Sequence, residues 1–180
     1  MTLQLRAATL ADVDAIVALV ESAYRGDASR AGWTTEADFL DGRRTGPDDV
    51  LAQIERPHSL ILLAERPSTV SGQVGALLAC AHVADEDLAG YFGMFSVQPG
   101  LQNTGIGKSM LAEAERIARD EWTLSTMKMT VIDIRAELIA WYERRGYRRT
   151  GITKPFPYGD ARFGIPKRDD LRFEILEKML

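Results

Sequence analysis

Near the start of the chain Leu3, Leu5 and Ala7 alternate with Gln4 and Arg6, the two-residue period of a half-buried strand. Thr9 and Asp12 then form a capping-box start. Val13, Ile16, Val17, Val20 and Tyr24 recur on one helical face, which predicts a helix from about Leu10 to Tyr24. From Arg25 to Pro57 the pattern is broken by Gly26, Gly32, Gly42, Gly46 and Pro47, and short helices are expected at Thr34 to Leu40 and at Asp48 to Ile54. Two apolar runs, Ser59 to Ala64 and Val74 to Val83, read as strands separated by the turn residues Ser71-Gly72. An acidic turn at Asp85-Glu86-Asp87 leads into the aromatic-rich run Ala89 to Val97, which fits the second arm of a long antiparallel hairpin.

After Pro99-Gly100 the period changes. Met110, Leu111, Ala114, Ile117 and Ala118 form an apolar stripe at helical spacing. Met127 to Ile132 reads as a strand, Ala136 to Arg145 as a helix ended by Gly146, and Tyr147 to Thr150 as another strand. Pro155, Pro157, Gly159, Gly164 and Pro166 mark an irregular loop before Leu171, Phe173 and Ile175 alternate as a last strand. The pattern is mixed α/β, without an internal repeat.

Composition narrows the classes. A chain of 180 residues, 46% hydrophobic and 27% charged, can bury its own core, and residues 1–180 are expected to form one domain. A formal charge of -4 and a pI near 5.3 provide no basic footprint for phosphate contacts, so a nucleic-acid partner is not expected. Met1 to Arg6 lacks the charged and apolar regions of a secretory signal, and no apolar run reaches the roughly 18 residues of a membrane span. A cytoplasmic protein without a membrane partner is the expectation. The single cysteine, Cys80, lies in an apolar run and reads as a buried core thiol.

The segment with chemical information runs from Phe95-Ser96-Val97 to Gln102-Asn103-Thr104-Gly105-Ile106-Gly107-Lys108-Ser109 and joins a strand to a helix. Glycines before a helix let several N–H groups converge on one point, and the helix N-terminus adds a partial positive charge suited to a phosphate. An ordinary strand-to-helix turn also favours Gly and Asn. Gly107-Lys108-Ser109 further mimics the end of a nucleotide-hydrolase phosphate loop, and Met129 to Asp133 mimics its magnesium strand, but the first glycine that loop requires falls on Gln102.

Gln102, Gly105 and Gly107 fill the pattern Gln or Arg, two residues, Gly, any residue, Gly or Ala, and here the sequence resembles the GNAT superfamily of N-acyltransferases. The order of elements extends the resemblance over nearly the whole chain. It implies an α/β fold with a mixed, mostly antiparallel, V-shaped sheet of about seven strands flanked by helices. It also implies acetyl-CoA as co-substrate, with the pantetheine arm along Phe95 to Val97 and the pyrophosphate at Gln102 to Ser109. No metal is implied. A second family block, a Tyr followed by Gly-Tyr, is matched by Tyr142-Glu143-Arg144-Arg145-Gly146-Tyr147, and the resemblance makes Tyr142 the general acid for the departing CoA thiolate. Where the family often has Asn and Ala before that tyrosine, this chain has Arg135 and Leu138.

Acetylating an amine requires removal of a proton from a group of pKa about 10, so a base or a water relay is needed. Glu36, Asp133, His82 and Glu21 are all candidates on chemical grounds. Backbone N–H groups near Phe95 to Val97 could form an oxyanion hole. By the resemblance, acceptor recognition falls to Tyr24, Arg25, Arg30, Trp33, Thr34, Glu36, Arg43, Phe156 and Tyr158, where Arg could take a planar anion. The expected function is acetyl transfer to a primary amine, of a small molecule or a peptide N-terminus, by direct attack in a ternary complex. A catalytically silent acyl-CoA-binding sensor is the alternative. The sequence does not fix the oligomeric state, and a homodimer is compatible with it.

Overall fold

The computed structural model describes residues 3–68 and 75–180. Strand β1 (Gln4–Ala7) is followed by a 3-10 turn (Leu10–Asp12) that carries the capping box of Thr9 and Asp12, and then by α1 (Val13–Tyr24). Next come α2 (Gly26–Ser29), the short strand β2 (Leu40–Asp41) and α3 (Pro47–Glu55). The helix expected at Thr34 to Leu40 does not form. The Ala37 N–H bonds to Thr35 Oγ1, and Leu40 pairs instead with Pro166, so tertiary pairing overrides the local spacing.

Strands β3 (Ser59–Arg66), β4 (Ala76–Glu86) and β5 (Ala89–Val97) form an antiparallel meander. The expected start of the second apolar run, Val74, and the turn Ser71-Gly72 lie outside the described residues. The β4–β5 connection is tighter than expected. Glu86 still pairs with Ala89, and the turn is Asp87-Leu88, both with positive φ (52° and 66°), the backbone twist a two-residue hairpin requires.

Helix α4 (Ile106–Arg116) crosses from β5 to β6 (Thr126–Ile132), α5 (Ala136–Glu143) leads to β7 (Arg148–Pro155), and β8 (Ile165–Pro166) and β9 (Arg172–Met179) complete the order. β7 and β9 are longer than their apolar signatures because the pairing continues through exposed residues such as Lys154 and Glu177. The main sheet has the order β1-β3-β4-β5-β6-β9-β7, and β2 with β8 forms a separate pair.

Burial follows the two-residue period. From β3, Leu62 and Ala64 join the core under α4, with Met110, Leu111 and Ala114, whereas Ile61 and Leu63 join the core under α1, with Ile16, Leu19 and Val20. Being covered on both faces, β3 and β4 read as continuous apolar runs rather than alternating ones. Among the described residues β5 and β6 are the only parallel neighbours, and they pair only at Gly90 with Met127 and Tyr91 with Lys128. Beyond Tyr91 the two strands diverge, and that divergence opens the V of the sheet.

Candidate active site

Two clefts meet at the open V, sharing Phe95 and Leu138. The first encloses about 250 Å³ and is lined by Trp33, Thr34, Val97, Leu101, Gln102, Asn103, Gly105, Gly107, Lys108, Trp141 and Arg145 as well as the shared pair. Its rim is built by the glycine loop. Asn103 (φ 66°) and Gly105 (φ 91°) take left-handed conformations, and Gly105 is the N-cap of α4. The Ser109 N–H donates to the Gly105 carbonyl at 3.1 Å, which leaves the N–H groups of Ile106, Gly107 and Lys108 without helical acceptors. Gly107 has another role. A Cβ there would lie 3.0 Å from Phe95 Cζ and 3.5 Å from Trp141 Cζ2, so its hydrogen permits the aromatic floor to close beneath the loop.

The far wall of this cleft is positively charged. The Arg145 guanidinium stacks on Trp141 at 3.4 Å from the ring centroid and donates from Nη1 to the Trp141 carbonyl at 2.6 Å. Its Nε is buried without a partner. Burial, reinforced by Arg144, lowers the Arg145 pKa, so the group is short of anionic company. Gln102 is placed differently from a ligand-facing amide: its Oε1 accepts from the Trp33 N–H at 2.8 Å, and its Nε2 donates to Thr34 Oγ1 at 2.8 Å. The side chain thereby fixes the loop after α2 against the glycine loop. Ser96 and Ile106 are buried, and the Thr104 and Ser109 hydroxyls donate to the carbonyls of Leu101 and Gly105.

The second cleft, about 200 Å³, lies between the diverging β5 and β6, and Tyr24, Arg25, Glu36, Arg44, Tyr91, Thr130, Arg135 and Tyr142 contribute to its lining. At its junction with the first cleft β5 is bulged. Cys80 pairs with Ser96 and His82 with Gly93, so Met94 and Phe95 together oppose Ala81, and Met94 has φ 48°. The Tyr24 hydroxyl donates to the Phe95 carbonyl and pins the bulge. The rest of the β5 edge facing β6 carries no ladder there, so its backbone groups face the V.

Glu36 sits at the centre of a buried ion cluster. Its Oε2 accepts from Arg25 Nη1 and lies 3.9 Å from Arg44 Nε, and its Oε1 accepts from Arg135 Nη1 at 3.1 Å. Burial pushes this carboxyl up, but Arg135, Arg44 and Arg25 outweigh it and hold the pKa below the usual range. Arg135 also donates to the Thr34 carbonyl at 2.7 Å, so the residue that departs from the family pattern ties α5 to the Thr34–Glu36 loop. Tyr142 is buried, edge-on to Trp141 and Tyr147, and burial raises its phenol well above the ordinary value.

The sequence model of the Acetyltransferase (GNAT) family matches residues 20–147. The chain belongs to that family. Solved structures of similar fold include ribosomal-protein-alanine N-acetyltransferase from Brucella melitensis, at 22% identity over 98% of this chain and 99% of the other (TM-score 0.68). They also include yncA from Salmonella typhimurium, solved with its cofactor acetyl-CoA, at 18% identity over 100% and 95% (TM-score 0.69). A third is the ribosomal-protein-S18-alanine N-acetyltransferase from Escherichia coli, at 14% identity over 99% and 94% (TM-score 0.66). No curated protein sequence matches the chain. As a GNAT acyltransferase the chain uses acetyl-CoA as co-substrate. The first cleft fits that molecule, because it combines unbonded helix N–H groups, a side-chain-free approach at Gly105 and an unpaired guanidinium nitrogen of Arg145.

Within this GNAT chain the acid-base candidates separate cleanly. Glu21 accepts the N–H groups of Arg44 and Thr45 at 2.6 and 3.0 Å and is spent on the loop. Asp133 accepts from Arg172 at 2.8 Å and lines neither cleft. His82 Nε2 meets Ser59 Oγ at 2.8 Å, and burial lowers its pKa to about 4. It too lies outside both clefts. Of the expected acceptor residues, Tyr24, Arg25, Glu36 and Phe156 line the second cleft, while Trp33 and Thr34 line the first. Arg30 is not brought there: it is exposed and paired with Asp38. Arg43 and Tyr158 are also elsewhere, the latter accepting from the Leu171 N–H at 2.8 Å.

Sequence reasoning missed Arg44, Tyr91, Thr130, Trp141 and Arg145. Trp141 immediately precedes the recognised Tyr142 block and Arg145 lies within it, one helical turn apart, a spacing that would have placed both on one face. Among the described residues no group of three or more His, Cys, Asp or Glu side chains is arranged to hold a metal, and no helix is long and apolar enough to cross a membrane.

Proposed function

We propose that the chain transfers acetyl from acetyl-CoA to a primary amine by direct attack, with both substrates bound together. The observation that carries this reading is the junction of the two clefts at Phe95 and Leu138, beside a bulged strand whose edge is free of a ladder. Acetyl-CoA supplies an activated thioester when bound. The glycine loop, Lys108 and Arg145 hold its anionic end, and the β5 edge at Phe95 to Val97 holds its pantetheine arm. Backbone N–H groups of that stretch stabilise the developing oxyanion, with the Tyr24 hydroxyl fixing the bulge from behind.

Tyr142 is the proton donor to the thiolate. A buried phenol with a raised pKa stays neutral across the working range and keeps its proton until charge develops beside it. A covalent acetyl-cysteine is disfavoured by the fold: Cys80 is fully buried, and burial pushes its thiol up to about 12. Initial rates measured over a matrix of acetyl-CoA and amine concentrations test the order of events. Intersecting double-reciprocal lines are expected, and parallel lines would replace direct attack by an acetyl-enzyme route.

A further inference from the structure

We infer that the acceptor is a small α-amino acid with an apolar side chain, its carboxylate taken by the unpaired edge of Arg25; this rests on the transferase reading above. Arg25 is 7% exposed and lines the acceptor cleft. Its Nη1 is engaged by Glu36, whereas Nε and Nη2 are buried with no hydrogen-bond partner. Those two nitrogens form one edge of the guanidinium fork, the edge that receives a carboxylate through two parallel bonds. A buried charged donor without an acceptor is costly, and a ligand oxygen pair removes that cost. Gly164 (φ +96°) packs against this edge, since a Cβ there would come 3.0 Å from Arg25 Nη2.

Charge and size agree with this assignment. Three guanidinium groups, of Arg25, Arg44 and Arg135, surround the single carboxylate of Glu36, and Glu21 is occupied by backbone N–H groups. The cluster therefore retains positive charge, which favours an anionic group and disfavours polyamines. Phe92, Met129, Val131 and Phe156 provide an apolar wall. A cleft of about 200 Å³ is smaller than the roughly 300–1,000 Å³ of sites for drug-sized ligands, so the acceptor is small. The same charge eases the proton problem. Neighbouring guanidinium groups disfavour the charged ammonium and so lower the pKa of the acceptor's amine. Water can then accept the proton, because Glu21 and Glu36 are both engaged.

The test compares L-leucine, L-leucinamide and isopentylamine, which share a body and differ at the carboxylate. Binding to the CoA-saturated protein is measured by titration calorimetry and turnover with acetyl-CoA by thiol release. Leucine is expected to exceed both analogues in kcat/KM by at least a hundredfold. Arg25→Lys keeps a cation for Glu36 but loses the planar edge, and should lower kcat/KM for leucine at least tenfold while changing leucinamide less than threefold. Equal or better use of the uncharged analogues, an equal loss for all three in Arg25→Lys, or no binding of any of them would overturn the inference. Acetyl-CoA affinity on the same samples reports separately on the transferase reading: intact cofactor binding with no leucine preference rejects only the acceptor assignment. The wild-type comparison stands even where the variant does not fold.

Discussion

At the scale of single residues, the fold separates groups that resemble one another in sequence. Two carboxylates one helix and a loop apart, Glu21 and Glu36, are both consumed by the scaffold, one by backbone N–H groups and the other by arginines. Neither partnership could be read from spacing, because the arginines that claim Glu36 lie 11, 8 and 99 positions away along the chain. Tyr142, by contrast, was legible, since its motif is local and its helix delivers it to the cleft. Tyr142→Phe should keep the fold and hold the acetyl-CoA dissociation constant within about threefold, because a hydroxyl acting in the transition state adds little to ground-state binding. Turnover should fall about a hundredfold to ten-thousandfold, measured by steady-state thiol release. Unchanged turnover would remove Tyr142 from the mechanism and leave water as the acid.

His82 carries a different expectation. Its folded pKa, near 4, lies below the ordinary 6.5 because burial disfavours the charged ring. Between these values the unfolded chain binds more protons than the folded one, so its contribution to stability is complete above about pH 6.5 and is lost as pH falls toward 4. The full loss is on the order of 3 kcal/mol. His82→Gln should flatten this part of the stability profile, read by urea denaturation at pH 7 and pH 4.5. An unchanged pH slope in the variant would assign the titration to other groups.

At the scale of elements, periodicity captured what each segment does locally and missed what another segment imposes on it. The helix expected at Thr34 to Leu40 is the clearest case. Its residues are held by Gln102, Arg135 and Pro166, none of which is near in sequence. The glycine loop takes the strand-to-helix form its local residues predict, yet its two glycines differ in what a side chain would meet. Gly105→Val forces a β-branched residue into positive φ, and should cost about 1–3 kcal/mol of stability as well as cofactor affinity. Gly107→Val has helical backbone and would instead press on Phe95 and Trp141. Both should weaken acetyl-CoA at least tenfold, about 1.4 kcal/mol, by isothermal titration of the folded variants. Unchanged affinity in both would reduce the loop to a turn.

At the scale of the whole molecule, the V-shaped, mostly antiparallel sheet was anticipated as a family trait, and the splay of β5 from β6 after only two paired residues gives that trait a physical form. The V unites two clefts whose linings come from both halves of the chain, with Trp33 and Trp141 both lining the first and Glu36 meeting Arg135. Such long-range pairings are what a single sequence hides. Acetyl-CoA should stabilise this assembly by about 2.7 kcal/mol at a hundredfold excess over its dissociation constant, read as a rise in Tm, whereas ATP with magnesium should not. A shift with ATP alone would contradict the cleft assignment.

The central claim is that an amine in the second cleft attacks the thioester presented from the first. Its most direct test is thiol release from acetyl-CoA across a panel of primary amines, with the acceptor product identified by mass spectrometry. We expect release that depends on both enzyme and amine and equals the N-acetylated product formed. Stabilisation by acetyl-CoA with no thiol release above the protein-free rate for any amine would contradict it and leave a silent acyl-CoA-binding protein.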